Sequence, residues 1–334
     1  MIHETHRARP RANEATRGQA APTDLSAAIG SSTPRHDAPI AIDPTYGFRR
    51  LDPVPTSAEL DAFYATKYME LVEAGGRAPE IRRMLEGGRA REEELAWIGA
   101  TLHADVEQAL RAPGDARGRL LDVGCGTGDF VEHAAKAGWR ARGLEPSRLA
   151  SERARSRGLD VAEGTLAQAL EAHERSGEPA YDAITMLNVL EHVPDPIAHV
   201  RQCRALLAPG GALAIVVPND FTVLQEAARA AIGTETRWWI AAPDHINYFD
   251  FTSLDRLLEG EGFVVHERTC NFPMELYLLL GEDYVGQPDL GARCHARRRR
   301  MEATIPAETR RALYRSFAAA GLGRNCVVIA RRTR

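Results

Sequence analysis

The sequence predicts an α/β fold in which a seven-stranded, mostly parallel sheet carries helices on both faces. Two observations predict it. Between Leu120 and His266, short apolar runs alternate with helical patterns, as they do in parallel sheets with helical crossovers. Directly after the first apolar run come three glycines at alternate positions, Gly124, Gly126 and Gly128. Such a turn between a strand and a helix is typical of a ligand-binding carboxyl edge of a parallel sheet.

Length and composition indicate an ordinary globular protein. The 334 residues suffice for one large domain with an accessory part, and the net charge of −4 provides no general attraction for nucleic acid. No apolar run reaches the length of about 18 residues that a membrane span requires, and the N-terminus lacks a signal-peptide pattern. The five widely spaced cysteines predict reduced thiols and no metal site. We therefore expect a cytoplasmic protein without membrane or nucleic-acid partners.

The first 112 residues divide into two parts. Residues 1–44 are rich in Ala, Arg, Pro, Thr and Ser and lack hydrophobic periodicity, which predicts a disordered tail. Residues 45–112 contain helical patterns, including a long one over 89–110, and predict an N-terminal helical cap. Tyr64 and Tyr68 lie four residues apart on one predicted helical face, where packing against the core is the simplest expectation.

The remaining residues, 113–334, contain the predicted sheet. Each strand is a short apolar run that ends at glycine, proline or polar residues. The predicted strands are 120–123, 139–144, 159–162, 181–187, 212–217, one that starts at 263, and 325–330. Between the sixth and seventh strands lies an insertion of about 271–322, which we expect to act as a lid or a dimer contact.

The glycine turn itself restricts the ligand. The dinucleotide fingerprint has the spacing G-x-G-x-x-G, which would place its third glycine at position 129. That position holds Asp129, and the third glycine is Gly128. Asp122 lies two residues before the first glycine, where a carboxylate disfavours a pyrophosphate and favours a cationic or amino-bearing ligand. We expect Cys125, inside the turn, to act as a small space-filling residue.

Polar residues follow the next strands as well. Glu145 ends the second strand, where a carboxylate can accept hydrogen bonds from both hydroxyls of a ribose, in dinucleotide and other nucleoside sites alike. Asn188 follows the fourth strand, and we expect Glu191 and His192 at the start of a short helix after it. His245 lies in the segment DHINYF, before the last helix of the alternating region.

In their order over about residues 115–268, these motifs resemble class I S-adenosylmethionine-dependent methyltransferases, in particular the subgroup of the ubiquinone-biosynthesis O-methyltransferases. The run LLDVGCGTGDF resembles the first motif of that family, NVLEHVPDP the fourth, and LLAPGG the turn before the fifth strand. The resemblance implies a Rossmann-like sheet and S-adenosyl-L-methionine as cofactor. The residues that it implies at the cofactor are Asp122, Gly124, Cys125, Gly126, Gly128, Phe130, Glu145, Pro146, Gly164, Thr165, Leu166, Leu187 and Asn188.

The same resemblance implies in-line methyl transfer to a small-molecule acceptor. Removal of an acceptor proton in O- or N-methylation calls for a base, for which we expect His245 first and then His192 and Glu191, although His192 also suits a loop-bracing role. Methylation of a thioether would need no base. The residues that we expect at the acceptor are Tyr64, Tyr68, Asn219, Trp238, Trp239, Asn247 and Tyr248.

Alternatives from other classes stay open. A nicotinamide-dependent oxidoreductase could use a similar sheet, although Asp129 and the LLAPGG turn count against it. A non-catalytic binding module could retain the donor site. The run Arg297 to Arg300 predicts a solvated helix face or, alternatively, an anchor for a substrate carboxylate or phosphate. The insertion would allow a homodimer.

Overall fold

The computed structural model describes residues 36–56, 58–60, 63, 88–111 and 117–333. The predicted tail up to residue 35 and the predicted acceptor residues Tyr64 and Tyr68 lie outside this range. Among the described residues, no helix combines the length and the apolar character needed to cross a membrane.

A mixed sheet of seven strands forms the centre of the fold and confirms the predicted fold class. Its strands are β3 (Arg119–Val123), β4 (Arg140–Glu145), β5 (Val161–Glu163), β6 (Tyr181–Leu187), β7 (Leu207–Pro218), β9 (Phe263–Cys270) and β10 (Asn325–Arg332). They lie in the order β5-β4-β3-β6-β7-β10-β9. The pairs from β5 to β7 are parallel, and β10 runs antiparallel to both of its neighbours. This Rossmann-like order brings the carboxyl ends of β3, β4 and β6 to one edge.

Helices connect the strands and cover both faces, as predicted. They are α1 (Gly88–Ile98), α2 (Ala104–Leu110), α3 (Asp129–Lys136), α4 (Arg148–Ser156), α5 (Leu166–Ser176), α6 (Pro196–Leu206), α7 (Val223–Ala231), α8 (Phe251–Gly260), α9 (Glu275–Leu279), α10 (Pro288–Thr304) and α11 (Ala307–Ala319). Leu206 and Leu254 pack with Ile184 of the sheet in one apolar core, and Val106 and Phe130 lie in the other. Alternate residues of the buried strands therefore contribute to two separate cores.

A second, small sheet corrects the predicted extent of the N-terminal tail. β1 (Ile40–Ile42) pairs antiparallel with β2 (Arg49–Leu51), which pairs with β8 (Asn247–Tyr248). The strand β1 lies within residues 1–44, which were predicted to be disordered. Because its backbone groups are hydrogen-bonded to β2 and Ala38 is buried, ordered structure begins before the predicted boundary.

The long helix predicted over 89–110 is interrupted. A π-helical turn, Gly99–His103, separates α1 from α2. The side chain of Thr101 donates to the carbonyl of Trp97 at 2.7 Å within this segment. We call α1, the π-turn and α2 together the cap helix. Periodicity predicts the helix but not the π-turn, because apolar residues spaced four positions apart fit an α-helical turn and the wider π-turn alike.

The insertion contains three helices, α9, α10 and α11. Its arginine run does not form a uniformly solvated face. Arg297 and Arg300 are exposed, as predicted, whereas Arg298 is 5% exposed, and its Nε donates to Glu302 Oε1 at 3.1 Å. The expectation was therefore wrong for Arg298, because a single helix turn presents consecutive residues to different surroundings. The lid and dimer roles of the insertion stay predictions.

Candidate active site

The glycine turn after β3 forms an open backbone cradle. Gly124 has a φ of +69°, and a Cβ there would lie 2.6 Å from Cγ2 of Val189, so that a side chain is sterically excluded. Gly126 also has a positive φ, of +55°, but a Cβ on it would meet no atom within 4 Å. The backbone at Gly126 therefore borders open space, which a ligand can approach closely.

Glu145 joins this turn to the end of β4. Its Oε2 accepts a hydrogen bond from the Gly126 amide at 2.8 Å, and its Oε1 accepts one from the Ser147 amide at 2.8 Å. Ser147 caps α4, since its hydroxyl accepts the Ala150 amide at 3.3 Å. The carboxylate thus fixes the glycine turn and keeps lone pairs for a ligand hydroxyl. The ribose-binding role of Glu145 stays a prediction.

Asp122 is a buried carboxyl just before the turn. It is 2% exposed, and Thr185 donates to its Oδ1 at 2.6 Å. Burial raises the pKa of Asp122 to about 7, the Thr185 hydrogen bond opposes the increase, and the charges of Glu145 and Asp129 add to it. A cation bound nearby would reverse this shift, which suits the predicted cationic ligand.

The sequence did not predict what holds the far side of the turn. Arg157, at the end of α4, donates to the Thr127 carbonyl at 2.5 Å and to Asp129 Oδ1 at 2.6 Å. No local pattern distinguishes this arginine from the others of its helix.

Phe130 is 3% exposed and lies in an apolar core, so we infer a packing role instead of the predicted cofactor contact. Burial raises the pKa of Cys125, in line with a space-filling role.

Gly164, Thr165 and Leu166, three of the residues predicted at the cofactor, follow β5 beside Glu145. β4 and β5 are parallel neighbours, and the Gly164 amide donates to the Glu145 carbonyl at 3.1 Å. Thr165 caps α5 by accepting the Gln168 amide at 3.3 Å, and Leu166 is buried. Pro146 is exposed. The structure brings these residues to the same edge as the glycine turn.

The loop after β6 contains the last two residues that were predicted at the cofactor. Leu187 is half-buried, and Asn188 has a φ of +56°, which asparagine tolerates better than most residues. The Asn188 amide donates to the Val216 carbonyl at 2.8 Å, and its Oδ1 accepts from Asn325 Nδ2 at 3.2 Å. Asn325 begins β10, more than a hundred positions later in the chain, and no sequence pattern pointed to it.

Glu191 and His192 lie in a turn, which corrects the prediction that they begin a helix. The helix α6 begins only at Pro196, with Asp195 as its cap accepting the Ala198 amide at 2.9 Å. Proline is favoured at this first helical position because the amide that it lacks would have no partner there.

Four side chains meet where this turn contacts the DHINYF segment. Nδ1 of His192 lies 3.1 Å from Asp244 Oδ1 and 3.0 Å from the Asp244 carbonyl, and Nε2 lies 3.8 Å from Glu191 Oε1. The rings of His192 and His245 meet edge to face at 5.0 Å between centroids. Asp244 was not predicted, although its place directly before His245 was a usable signal.

Electrostatics indicate the role of His192 in this cluster. Burial lowers the pKa of His192, but the carboxylates of Asp244 and Glu191 outweigh burial and raise the pKa to about 9. Burial likewise raises the pKa of Glu191 to about 7, against the opposing effect of His192. A His192 that stays protonated is a poor proton acceptor at neutral pH. These contacts favour the bracing role of His192.

The same cluster offers a geometry that suits a cation. One ligand atom each from Glu191, His192 and His245 lies within 4.8 Å of the others. Glu191 is 1% exposed, and its Oε2 accepts no hydrogen bond from the residues that the structure describes. Imidazole and carboxylate together are ligands for several divalent metals. The sequence had indicated no metal site, and its fold brings these three side chains together.

The other predicted acceptor residues have structural partners. Asn219 Nδ2 donates to the carbonyls of Gly321 and Gly323 at 3.1 Å, and Asn247 Nδ2 donates to those of Leu190 and Val193 at 3.0 and 2.7 Å. Of the predicted aromatic residues, two are buried and one is half-buried. The buried ones are Trp239 and Tyr248, and the half-buried one is Trp238. These contacts indicate that the group mainly supports the loops around the site, which differs from the predicted direct contact.

The residues of this site lie in a region that matches a known protein family. The profile of a family described as "Methyltransferase domain" matches residues 91–268, which include the glycine turn, Glu145 and the Glu191 cluster. Ubiquinone biosynthesis O-methyltransferase of Vibrio parahaemolyticus is 39% identical over 97 residues, 28% of this chain and 40% of that protein. The same enzyme of Serratia proteamaculans is 39% identical over 105 residues, 30% of this chain and 43% of that protein. The chain thus matches less than half the length of these relatives.

Solved structures also resemble the fold. A SAM-dependent methyltransferase from Archaeoglobus fulgidus aligns over 75% of this chain and 98% of its own, with 16% identity and a TM-score of 0.47. Magnesium protoporphyrin IX methyltransferase from Synechocystis, with bound SAH, aligns over 76% of this chain and 93% of its own, with 14% identity and a TM-score of 0.46.

Proposed function

The chain belongs to the methyltransferase-domain family, and on this premise we propose that it transfers the methyl group of S-adenosyl-L-methionine to a small-molecule acceptor. The observation that carries the proposal is the cradle in which Glu145 holds the Gly126 amide at 2.8 Å beside open space and the buried Asp122. O- or N-methylation is the favoured reaction, because Glu191, His192 and His245, which can exchange protons, lie where we propose that the acceptor binds. The named relatives, which are O-methyltransferases, support this choice.

The donor-side residues fit such a cofactor. When bound, S-adenosylmethionine supplies an electrophilic methyl group on a sulfonium centre. Glu145 would accept hydrogen bonds from the ribose, the glycine turn would lie against the methionine part, and Asp122 would provide negative charge beneath it. Residues Gly164 to Leu166 would border the adenine. These residues therefore bind and orient the donor, and orientation can supply about 7–11 kcal/mol of the rate enhancement.

The residues on the acceptor side would remove the proton that the acceptor loses on methylation. His245 is the proposed base, since its ring meets that of His192, which Asp244 holds in place at 3.1 Å. His245 would accept the proton that the acceptor oxygen or nitrogen loses on methylation, with S-adenosylhomocysteine as the other product. Glu191, with its buried carboxyl, is the second choice. General-base catalysis of this kind contributes about 10²–10⁴-fold.

The purified protein, given methyl-labelled S-adenosylmethionine and a cell extract of its source, is expected to label the small-molecule fraction. Mass analysis of the labelled product then identifies the acceptor. Label in precipitated protein or nucleic acid would contradict the small-molecule acceptor but retain methyl transfer. Donor binding without any labelled product would indicate the binding-module alternative, and NADH binding without donor binding the oxidoreductase.

His245→Ala is expected to lower kcat by about 10²–10⁴-fold with little change in donor binding, because the acceptor proton loses its acceptor group. His199→Ala, at a half-buried position of the helix α6, is the control and should leave kcat within about twofold. Turnover measured at saturating substrates checks both. Full turnover of His245→Ala would remove His245 as the base and favour a thioether acceptor.

A bound divalent cation is the alternative use of the same side chains, because Glu191, His192 and His245 present ligand atoms within 4.8 Å. A cation there would lower the pKa of an acceptor hydroxyl directly. Chelation with EDTA, followed by readdition of magnesium, manganese or zinc, separates the mechanisms. Activity that EDTA does not change would support His245 as a base, whereas loss and metal-specific recovery would support cation assistance.

Donor binding is expected to depend on pH through Asp122. Its pKa of about 7 means that the carboxyl is largely protonated at pH 6, whereas a cationic donor favours the carboxylate. The donor should therefore bind about tenfold more tightly at pH 8 than at pH 6, with release of a proton. Calorimetry in buffers of different ionisation enthalpy measures both effects. Asp122→Asn should abolish the proton release, and an equal release by this variant would assign it to another group.

The same pKa gives a signed expectation for stability. A carboxyl whose folded-state pKa lies above its unfolded value near 4 favours folding only while it is protonated. The contribution of Asp122 is therefore present at low pH and is lost as pH rises from about 4 to about 7. Donor binding would offset this loss, since it stabilises the ionised form in the folded state.

A cytoplasmic location and a homodimer formed through the insertion are further proposals. All five cysteines are free thiols, four of them buried, which supports a reducing compartment. Sedimentation of the full chain, with and without donor, tests the dimer.

A further inference from the structure

The cap helix, residues 88–110, lies between the insertion and the donor side of the proposed methyltransferase. Its middle part is the π-turn Gly99–His103. Such turns are rare and frequently occur at functional sites, because they reposition side chains within an otherwise regular helix. The contacts on its two sides show what this turn positions.

On the donor side, the cap helix contacts the start of α3. Nη2 of Arg91 lies 3.6 Å from Oδ1 of Asp129, the residue that directly follows the glycine turn. The ring of His103, the last residue of the π-turn, meets the ring of Phe130 edge to face at 5.2 Å and that of His133 at 5.6 Å. Burial lowers the pKa of His103 to about 4, so it packs as a neutral ring. The π-turn thereby supports the helix that begins at the cradle.

On the opposite side, the insertion holds the π-turn. Arg310 of α11 is 4% exposed, and its Nη2 donates to the Ala100 carbonyl at 3.1 Å and to Asp105 Oδ1 at 3.1 Å. Ala100 lies inside the π-turn, and Asp105 lies in the first turn of α2. A single guanidinium therefore ties both sides of the π-turn to α11. Arg311 also pairs with Asp105, at 3.0 Å, and it has no such bond to Ala100 among the described contacts.

Two further contacts fasten the cap helix to α10. His295 Nε2 lies 3.1 Å from Glu94 Oε1, and both side chains are buried. Nε1 of Trp97 donates to Glu302 Oε2 at 2.6 Å. Glu94, His295 and Glu302 are buried, and separation of the insertion from the cap helix would break both contacts. The insertion therefore holds the cap helix as a fixed support.

We propose that Arg310 of the insertion is a positioning residue for the methyl donor: it holds the π-turn, which sets His103 against Phe130 and so fixes the glycine turn. This inference rests on the proposed function, since the cradle must bind the donor. It assigns the insertion a role in donor binding, in addition to any role toward the acceptor. By linkage, donor binding must in turn stabilise the π-turn and α11.

The test compares Arg310→Met with Arg311→Met, a neighbouring arginine that shares Asp105. The dissociation constant of S-adenosylhomocysteine, measured by calorimetry, is expected to rise about 3- to 30-fold in Arg310→Met and to change less than about twofold in Arg311→Met. Arg310→Lys, which retains the charge without the forked donor, should lie between them. A merely structural role would lower the melting temperature and leave the affinity of the folded protein unchanged.

Hydrogen exchange of the wild-type protein provides a second measurement that does not need the variant to fold. Saturation with S-adenosylhomocysteine should slow exchange at amides 99–104 and 307–313, besides those of the glycine turn. Unchanged exchange at both segments would overturn the inference, as would equal affinities of the wild type and Arg310→Met. If the wild type fails to bind S-adenosylhomocysteine, the proposed function itself is wrong and this inference with it.

Discussion

Glu145→Ala is expected to weaken S-adenosylmethionine binding by about 100-fold or more. The carboxylate accepts the Gly126 and Ser147 amides, both at 2.8 Å, and in the proposed complex it also accepts the ribose hydroxyls. Hydrogen bonds to a charged group contribute about 1.5–3 kcal/mol each, and about 1.4 kcal/mol corresponds to a factor of ten. The loss of two ribose hydrogen bonds and of the anchored glycine turn therefore predicts this magnitude.

A neighbouring glutamate provides the matched control. Glu163 pairs in register with Glu145 across β4 and β5 but is exposed at the end of its strand. Glu163→Ala should leave the dissociation constant within about twofold, and Glu145→Gln, which keeps the shape but not the charge, should fall between the two. Calorimetric titration of each folded variant measures the effect. Equal binding by Glu145→Ala and the wild type would place the donor elsewhere on the molecule.

Glu302→Ala is expected to destabilise the protein by about 3–5 kcal/mol, because it leaves a buried guanidinium without its carboxylate. Glu302 is 2% exposed and accepts from Trp97 Nε1 at 2.6 Å, from Arg298 Nε at 3.1 Å and from the Tyr314 hydroxyl. The Arg298 guanidinium also lies over the Trp97 ring, 4.9 Å from its centroid. Three donors would thus lose one acceptor in the variant.

Urea unfolding measures this change, with Glu308→Ala as the control. Glu308 lies in the same insertion and pairs with Arg311, but its side chain is 76% exposed, and a surface ion pair of this kind contributes little because solvent screens it. The double variant Arg298→Met with Glu302→Leu should recover much of the stability, since it removes both buried charges. A loss below about 1 kcal/mol in Glu302→Ala would show that water or another side chain replaces the carboxylate.

The elements of the sheet could be predicted from the sequence because local patterns encode them. Apolar runs bounded by turn residues located each of the seven strands, and the glycine spacing located the cradle at the end of β3. Glu145 could be assigned as well, since a residue that ends one parallel strand must lie beside the turn that follows the next. These inferences required only short-range periodicity and the rule that the carboxyl ends of parallel strands meet at one edge of the sheet.

Other features depended on contacts between distant segments. The turn at Glu191 and His192 was predicted as a helix, and its relation to Asp244 appears only where two loops meet. Likewise, β1 was assigned to a disordered tail because a three-residue strand has almost no pattern of its own, and pairing with β2 orders it.

The sequence by itself determined the seven strands of the main sheet, most of the helices and the position of the glycine turn, because hydrophobic periodicity and glycine spacing are recognised within a few residues. Only the tertiary structure decided how the charged residues pair. Glu94 and His295 are buried as a pair between the cap helix and the insertion, and the buried Arg310 of the insertion pairs with the half-buried Asp105 of the cap helix. Composition predicts such side chains on the surface, since isolated burial of charge is costly. Partners that lie about two hundred positions apart in the chain offset this cost for Glu94 and Arg310, and no local pattern reveals them.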